Sequence, residues 1–334
     1  MSAVRIGVDI AKNVFQVHAV TEENVVLHRR KLSRSKFLEF FATMSARAVV
    51  GMEACATSHY WARELLKLGH DVRLLPPSAV KPYVARGKKN DAADAQAICE
   101  ALGRPNIYCV PVKTEAQQGV LALHAVRESL IVERTANINA VRAHFAEHGI
   151  VTGVGRASFN ELKGMIEGLP LHTQAAVEVV LGRIASAERD LVRIEKALMD
   201  FLRTDETSQN LATIPTVGPL AATLIAAKVG DPTRFRRGRD FAAWLGLVPR
   251  QNSSGGKERL GRITKVGDRA IRRFLFLGAL SVIWRTKPGT WLAQLRAKKP
   301  AKVVAIALAN KTARTILAVL KRGEVWREQA PLAA

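Results

Sequence analysis

The sequence predicts a mixed α/β domain at the N-terminus and a helical remainder. Three β-rich runs open the chain, strands and helices then alternate to about residue 110, and two long helical stretches follow between 115 and 202. Strands that follow one another directly pair as hairpins, whereas strands joined through a helix pair in parallel. We therefore expect one mixed sheet, and domains at 1–112, 113–207 and 208–334.

The N-terminal pattern runs strand, strand, strand, helix, strand, helix, strand, helix. Partial alternation and β-branched residues mark the strands. Gly69, the prolines at 76 and 77, and Gly103 mark the ends of elements. The expected strands are 4–8, 14–20, 25–32, 48–52 and 71–75, and the expected helices are 35–44, 58–68 and 90–102.

Two helices are expected in the middle region, at 115–148 and 172–202. Apolar residues of the second helix recur at alternating spacings of three and four, which is the repeat of a coiled-coil seam. The near-neutral charge of this region fits a helical hairpin that packs on itself or on a second copy. The regular repeat favours self-association, and an internal core stripe of an ordinary bundle is the alternative. The seam consists of Val177, Val180, Ile184, Ala187, Leu191, Ile194, Leu198 and Phe201.

Charge is the strongest compositional signal. The net charge of +22 indicates a polyanionic partner. Residues 1–110 carry +6, residues 111–207 carry −2 and residues 208–334 carry +18, so the last third is expected to bind the polyanion. A membrane surface is the rival polyanion, and it fits poorly because no lipidation signal or basic amphipathic terminus accompanies the charge.

Other protein classes are excluded by composition. An apolar content of 48% excludes a mainly disordered chain. The chain has three cysteines and no CxxC, which excludes a disulfide scaffold and a cysteine zinc site and is typical of a reducing cytoplasm. A signal peptide is not expected, and uninterrupted apolar runs are too short for a membrane span.

Four carboxylates have a spacing that is typical of a metal site. Asp9 and Glu53 end the first and fourth expected strands, which would place them side by side at one edge of the sheet. Asp91 and Asp94 are three residues apart on one expected helix, so they share a face. Converging carboxylates favour Mg²⁺ or Mn²⁺, which in pairs support phosphodiester cleavage. Taken singly, each acid is a surface residue or, for Asp91, a helix-start residue.

The basic C-terminal third contains two candidate nucleic-acid contacts. Residues 211–225 have the form of a helix-hairpin-helix, in which Gly218 would permit a tight turn before a phosphate-binding helix start; a plain packing corner is the alternative. Residues 249–262 are polar and glycine-rich. By residue type, the serines there favour a phosphate-contacting loop over a nucleophile, because the segment has no histidine base. The cations around Ser253 are Arg250, Lys257, Arg259, Arg262 and Lys265.

Four segments together resemble one known family. They are 7–12 (GVDIAK), 51–54 (GMEA), 89–95 (KNDAADA), and the pair 245–249 (LGLVP) with 253–268 (SSGGKERLGRITKVGD). Their order resembles that of the DEDD insertion-sequence transposases, which include the Piv-type DNA invertases. The resemblance covers nearly the whole chain. Asn90 stands where many members have threonine, a difference we expect to be tolerated.

The resemblance implies a RuvC-like ribonuclease H domain, a coiled-coil linker and a C-terminal transposase domain. It implies that Asp9, Glu53, Asp91 and Asp94 hold Mg²⁺. It further implies a serine nucleophile that forms a 5′-phosphoserine link to DNA. This position maps best to Ser254, with the tandem Ser253 as the alternative. Members form dimers and tetramers, and many use a structured bridge RNA that pairs with donor and target DNA.

The resulting interpretation is a site-specific DNA recombinase or transposase. The carboxylates and the serine fall in different domains, so we expect a composite active site. Two other functions remain open: a Holliday-junction-type nuclease that uses water, and a non-catalytic nucleic-acid-binding protein. The sequence has no P-loop, and conservation of the phosphodiester bond energy would make ATP unnecessary.

Overall fold

The computed structural model describes residues 4–44, 47–84, 90–252 and 259–327. By contacts, the chain divides into two compact units. The first comprises Met1–Ala116 with the short return segment Val229–Arg234, and the second comprises Gln117–Lys228 with Phe235–Ala334.

The first unit is built on a five-stranded mixed sheet with the order β3-β2-β1-β4-β5. β1, β2 and β3 form an antiparallel meander, whereas β4 and β5 continue from β1 in parallel. This confirms the prediction of a mixed α/β sheet with antiparallel hairpins first and parallel strands after the crossovers. The strands are β1 Val4–Ile10, β2 Val14–Val20, β3 Val26–Ser33, β4 Ala48–Glu53 and β5 Asp71–Leu75.

Helices cover both faces of this sheet. The helices are α1 Phe37–Ala42, α2 Ser58–Lys67, α3 Pro77–Val80 and α4 Asp91–Leu102, with short 3₁₀ turns at Arg34–Lys36 and Lys81–Tyr83. Phe15, Phe37 and Trp61 meet edge to face with ring centroids 4.6–5.1 Å apart, which fixes α1 and α2 on one face. The other face is covered by α4, whose Ile98 and Leu102 are buried.

Two long helices open the second region of the chain. α5 spans Glu115–Ala146 and α7 spans Leu171–Thr204, with α6 Arg156–Lys163 and a 3₁₀ turn Ile166–Gly168 between them. Both long helices were predicted, whereas α6 was not. Val177 and Ile184 of the predicted seam are buried against Val141 and Phe145 of α5. This part of the seam is therefore an internal core stripe of the helical hairpin, and association with a second copy stays a prediction.

The remainder of the second unit is a helical bundle that carries one small β-hairpin. Its elements are α8 Glu206–Ala212, α9 Pro219–Val229, α10 Gly238–Trp244, β6 Pro249–Gln251, β7 Leu260–Ile263, α11 Arg269–Ile283, α12 Trp291–Lys298 and α13 Ala301–Arg322. The mostly helical prediction is confirmed, but the hairpin was missed. α13 is long and apolar enough to span a membrane, yet 44% of its most apolar stretch is buried against the rest of the protein.

Candidate functional site

Asp9 and Glu53 lie beside each other at the ends of two adjacent parallel strands. In the register of β1 and β4, Val8 pairs with Met52, and each acid is the next residue of its strand. Val8 and Met52 are fully buried on the α1–α2 face, so the alternation of a strand turns both acids to the opposite face. The strand-end prediction therefore gives the correct neighbours.

Two glycines bring α4 down onto the strands that carry these acids. A Cβ on Gly7 would lie 2.5 Å from the backbone nitrogen of Cys99, and a Cβ on Gly51 would lie 2.9 Å from the Leu102 side chain. Gly7 is two residues before Asp9, and therefore on the same face. Because Gly7 also lies against Ala95, the N-terminal turn of α4 is the part of the helix nearest to Asp9.

That turn carries the other two carboxylates. Asn90 is the N-cap, and its side-chain oxygen accepts a 2.8 Å hydrogen bond from the backbone nitrogen of Ala93. Asp91 and Asp94 both lie in the first turn of the helix. Asparagine is a preferred N-cap residue, so its occurrence at position 90 stabilises the start of the helix that carries both acids.

The four acids form one electrostatic cluster. The pKa of Asp9 is raised to about 6, chiefly by burial and then by the negative charges of Asp94, Asp91 and Glu53. Among the described residues, none of the four carboxylates forms an ion pair with a lysine or arginine. Their mutual repulsion is therefore not offset by a basic side chain within this part of the protein.

A divalent cation fits this cluster chemically. Carboxylate oxygens are the ligands that Mg²⁺ and Mn²⁺ prefer, and a cation would relieve the repulsion that raises the pKa of Asp9. Within the described ranges, no three His, Cys, Asp or Glu side chains are already close enough to hold one ion. The carboxylates would have to move together when an ion binds.

The β6–β7 hairpin is held at its base by two glycines. A Cβ on Gly246 would lie 2.6 Å from the backbone nitrogen of Val266, and a Cβ on Gly267 would overlap the carbonyl of Trp244. Both glycines have positive φ, +69° and +84°, which L-residues with side chains rarely adopt. The two C-terminal motif segments therefore pack directly on each other.

The described predicted DNA contacts of this hairpin are exposed. Arg250 and Arg262 lie on its strands, Arg259 precedes β7, and Lys265 follows it. Arg250 donates a 3.3 Å hydrogen bond to the carbonyl of Thr264. Ser253, Ser254 and Lys257 lie outside the described residues, between β6 and β7.

The backbone at Gly218 does not adopt the positive φ that would require a glycine. Gly218 is exposed at the start of α9. Around it, Ile214 and Val217 are buried, and the Thr216 hydroxyl is 2.7 Å from that of Thr312. The turn therefore does not depend on a backbone conformation that only glycine adopts, and the helix-hairpin-helix stays a prediction.

Sequence reasoning missed two features of the first unit. Gly7 and Gly51 belong to the family motifs, but no structural role was predicted for them; the lack of a side chain at each lets α4 pack closely on the strands. A signal was present, because each glycine stands two residues before an acid in a strand. His18 was not singled out, because a single histidine in an apolar strand is typical of a core residue.

Comparison with known proteins identifies the family. The transposase IS116/IS110/IS902 family matches residues 208–295, and a DEDD transposase domain of the IS110 type matches residues 6–150. A probable family 20 transposase of Pseudomonas aeruginosa is 44% identical over 98% of this chain and 99% of its own length. The transposase for insertion sequence element IS1328 of Yersinia enterocolitica is 38% identical over 96% and 98%. The pilin gene-inverting protein of Moraxella lacunata is 22% identical over 96% and 97%.

The fold and these matches define the chain as an insertion-sequence transposase, an enzyme that cuts and rejoins DNA. It belongs to the transposase IS116/IS110/IS902 family. The expected resemblance to DEDD transposases is confirmed, and DNA is the polyanion that the charge of the chain indicates. A DEDD domain goes with the use of divalent metal in general.

Proposed function

We propose that this transposase cuts and rejoins DNA through a phosphoserine intermediate, with Ser254 as nucleophile and Asp9, Glu53, Asp91 and Asp94 as the metal-holding carboxylates. The observation that carries the proposal is the cluster of four acids, in which burial and the three neighbouring carboxylates raise the pKa of Asp9 to about 6. Perturbed carboxyl groups of this kind are concentrated at catalytic sites. The described residues near the serine in the chain support it further, because β6 and β7 pair with each other and Gly246 and Gly267 pack closely at the base of that hairpin.

The proposed chemistry conserves the phosphodiester bond energy. The Oγ atom of Ser254 bonds to the phosphorus as the bond to the 3′-oxygen breaks, and the serine proton passes to that oxygen to give a free 3′-hydroxyl. In the second step the 3′-hydroxyl of the partner strand attacks the same phosphorus. The bond to Oγ then breaks and the serine recovers a proton, so both steps balance without ATP.

Mg²⁺, or Mn²⁺ in its place, is the proposed cofactor. When bound, it would neutralise charge on the phosphate that is being attacked. The chain contributes the anionic cradle, and the Asn90 cap holds Asp91 and Asp94 at the first turn of α4. The partial burial of Asp9 restricts access of water to that carboxylate.

We propose that the exposed hairpin and the corner before α9 contact the DNA backbone. The cations Arg250, Lys257, Arg259, Arg262 and Lys265 would pair with phosphates, and Ser253 would donate a hydrogen bond to one. The exposed backbone at Gly218 would hold a phosphate at a helix start. The charge of +18 in residues 208–334 supports this assignment.

A structured guide RNA and a homodimer or homotetramer complete the proposal. The support for the RNA is the net charge of +22 together with the family. Purification without nuclease treatment tests it, because an RNA of defined length should elute with the protein and disappear with ribonuclease. Light scattering of the same sample gives the number of subunits, and we expect two or four.

The decisive experiment is a covalent-adduct gel. The protein with its co-purified RNA is incubated with the DNA end of its own element and Mg²⁺, denatured, and examined for DNA attached to protein. Ser254→Ala should abolish the adduct, Ser253→Ala should preserve it, and Asp9→Asn should abolish it without unfolding the protein. Adduct loss with Ser253→Ala alone would move the nucleophile by one residue.

The remaining outcomes separate the other functions. Cleavage without an adduct would mean that water is the nucleophile and would contradict the phosphoserine step. DNA binding that is indifferent to Mg²⁺ and to Asp9→Asn, with no cleavage by the RNA-loaded protein, would favour a non-catalytic binding role.

A further inference from the structure

An open groove of about 600 Å³ lies in the first unit, between α4 and the strands β2 and β3. Three alanines of α4 line it and keep the helix narrow there. Asn90 lines the groove too, so it reaches the first turn of α4, which carries Asp91 and Asp94. Its polar lining includes Gln16, His18, Arg29, Gln96 and Glu100.

The groove lies on the same face of the sheet as the carboxylates. Asp9 pairs with Gln16 across β1 and β2, and Gln16 pairs with Lys31 across β2 and β3. The next row in register runs from Gly7 through His18 to Arg29. Paired residues of adjacent strands point to the same face. Lys31 is therefore two strand spacings, roughly 10 Å, from Asp9.

His18 is the feature that indicates a ligand. Its side chain lines the groove and is only 6% exposed. It forms no hydrogen bond to any other described residue, although a buried imidazole ordinarily has a partner for each ring nitrogen. The ring nitrogens of His18 are not among the fully buried polar atoms that lack a partner, so the imidazole reaches the open groove, where a ligand would take the place of solvent as its partner.

The charges at the groove favour an anion. Arg29 and Lys31 stand exposed on its outer strand. Glu100 is the acid among the groove-lining residues, and it accepts a 3.1 Å hydrogen bond from Gln96. Neutral hydrogen-bonding groups on the floor and cations at the rim match a sugar–phosphate backbone, which presents oxygen acceptors continuously and charge at intervals.

We propose that this groove holds the sugar–phosphate backbone of the DNA strand being cut, two or three nucleotides from the phosphate at the carboxylates. At a rise of roughly 3.4 Å per nucleotide, the roughly 10 Å between Asp9 and Lys31 corresponds to that separation. Arg29 and Lys31 pair with a phosphate, and His18 and Gln16 bond to backbone oxygens. The inference rests on the proposed function, because it takes the four acids as the cleavage site.

The test neutralises one phosphate at a time. Duplexes with the element's end carry a single methylphosphonate at successive positions around the cut, and their binding to the RNA-loaded Asp9→Asn protein is measured by fluorescence anisotropy. We expect one or two linkages within three nucleotides of the cut to weaken binding about tenfold. When Arg29→Ala is added to the same protein, neutralising those linkages should not weaken binding further. The slope of the logarithm of the binding constant against the logarithm of salt concentration should also become shallower by about 0.9.

Arg73→Ala is the matched control. Arg73, on β5, pairs with Gly51 of β4, so it lies in the same cross-strand row as Arg29 but at the opposite edge of the sheet. Its removal takes away the same charge and should leave the scan unchanged. His18→Leu keeps the bulk of the side chain but removes its hydrogen-bonding nitrogens. Methylphosphonates at the same linkages should then weaken binding less. Identical scans for Arg29→Ala and Arg73→Ala would overturn the inference.

Further outcomes separate failure of the groove assignment from failure of the proposed cleavage chemistry. The same scan along the co-purified RNA tests whether the groove binds RNA instead of DNA. If neutralised phosphates of the RNA, and not of the DNA, lost their effect in the Arg29→Ala protein, the DNA assignment would be overturned. Cleavage by the unmodified protein is scored separately. Cleavage without Arg29 coupling would refute the groove alone, whereas coupling without cleavage would refute the proposed chemistry and leave the groove standing.

Discussion

Gly7 lies so close to α4 that a Cβ there would be 2.5 Å from the backbone nitrogen of Cys99. The neighbouring atoms belong to helix backbone, which cannot rotate away as a side chain can. This contact sets the height of α4 above β1. It therefore sets the distance between Asp9 on the strand and Asp94 on the helix.

Gly7→Ala should destabilise the protein by about 2 kcal/mol or more, because the added carbon forces α4 away from the sheet. Urea unfolding gives this value. Gly182→Ala is the matched control, since Gly182 lies within α7 with open space around its Cβ position. It should stabilise the protein by about 0.5–1 kcal/mol. Equal effects of the two changes would contradict the close approach of α4.

Asp9→Asn should stabilise the metal-free protein above pH 6. The folded-state pKa of Asp9 is about 6, above the ordinary aspartate value of 3.8, so ionisation of this carboxyl opposes folding. The advantage of the variant should be present at pH 7–8 and shrink as the pH falls from 6 towards 4, where both side chains are neutral. Melting temperatures in EDTA across this range measure it. An advantage that does not change with pH would refute the raised pKa.

Binding of Mg²⁺ should weaken in acid. An ion that binds the four carboxylates must displace the proton of Asp9, so its apparent affinity should fall about tenfold per pH unit below pH 6. Calorimetric titrations at pH 5, 6, 7 and 8 provide the measurement. Asp71→Asn, at the start of β5, is a control that should leave the affinity unchanged. An affinity that is level between pH 5 and pH 8 would place the ion elsewhere.

Gly267→Ala should detach the base of the β6–β7 hairpin. Its Cβ would overlap the Trp244 carbonyl, and its φ of +84° is strained for alanine. We expect a loss of about 3 kcal/mol in unfolding free energy and loss of the DNA adduct. The control is Gly261→Ala within β7, where the nearest atom is the Asn252 amide nitrogen at 3.1 Å, on a side chain that can move. If Gly267→Ala retained full stability, the packing between the two motif segments would be refuted.

The strand-end acids could be predicted because strand geometry is regular. Once Asp9 and Glu53 are assigned to the ends of parallel strands, their adjacency follows from the register. The placement of α4 above them could not be predicted, since it depends on the absence of a side chain at Gly7 and Gly51. Glycine in a strand is equally consistent with a bulge or an exposed bend.

Other differences have identifiable physical causes. The heptad spacing of α7 specifies a helix with one apolar stripe, but the partner is α5 of the same chain, and a periodic pattern does not identify its partner. β6 and β7 are short and exposed, so they lack the alternation by which strands are recognised. Gly218 fits the consensus of a turn whose backbone angles do not require it.

The outer edge of the sheet has a consequence for the free protein. β5 is partly covered by a bridge between Leu74 and Val110, whereas β3 ends the sheet on the other side. An exposed strand edge invites pairing with another chain, and a row of cations discourages it by repulsion. The row consists of Arg29, Arg30 and Lys31. Two of these side chains, Arg29 and Lys31, are also the ones proposed to pair with a phosphate, so the same charges would keep the free enzyme from aggregating through the edge of its own sheet.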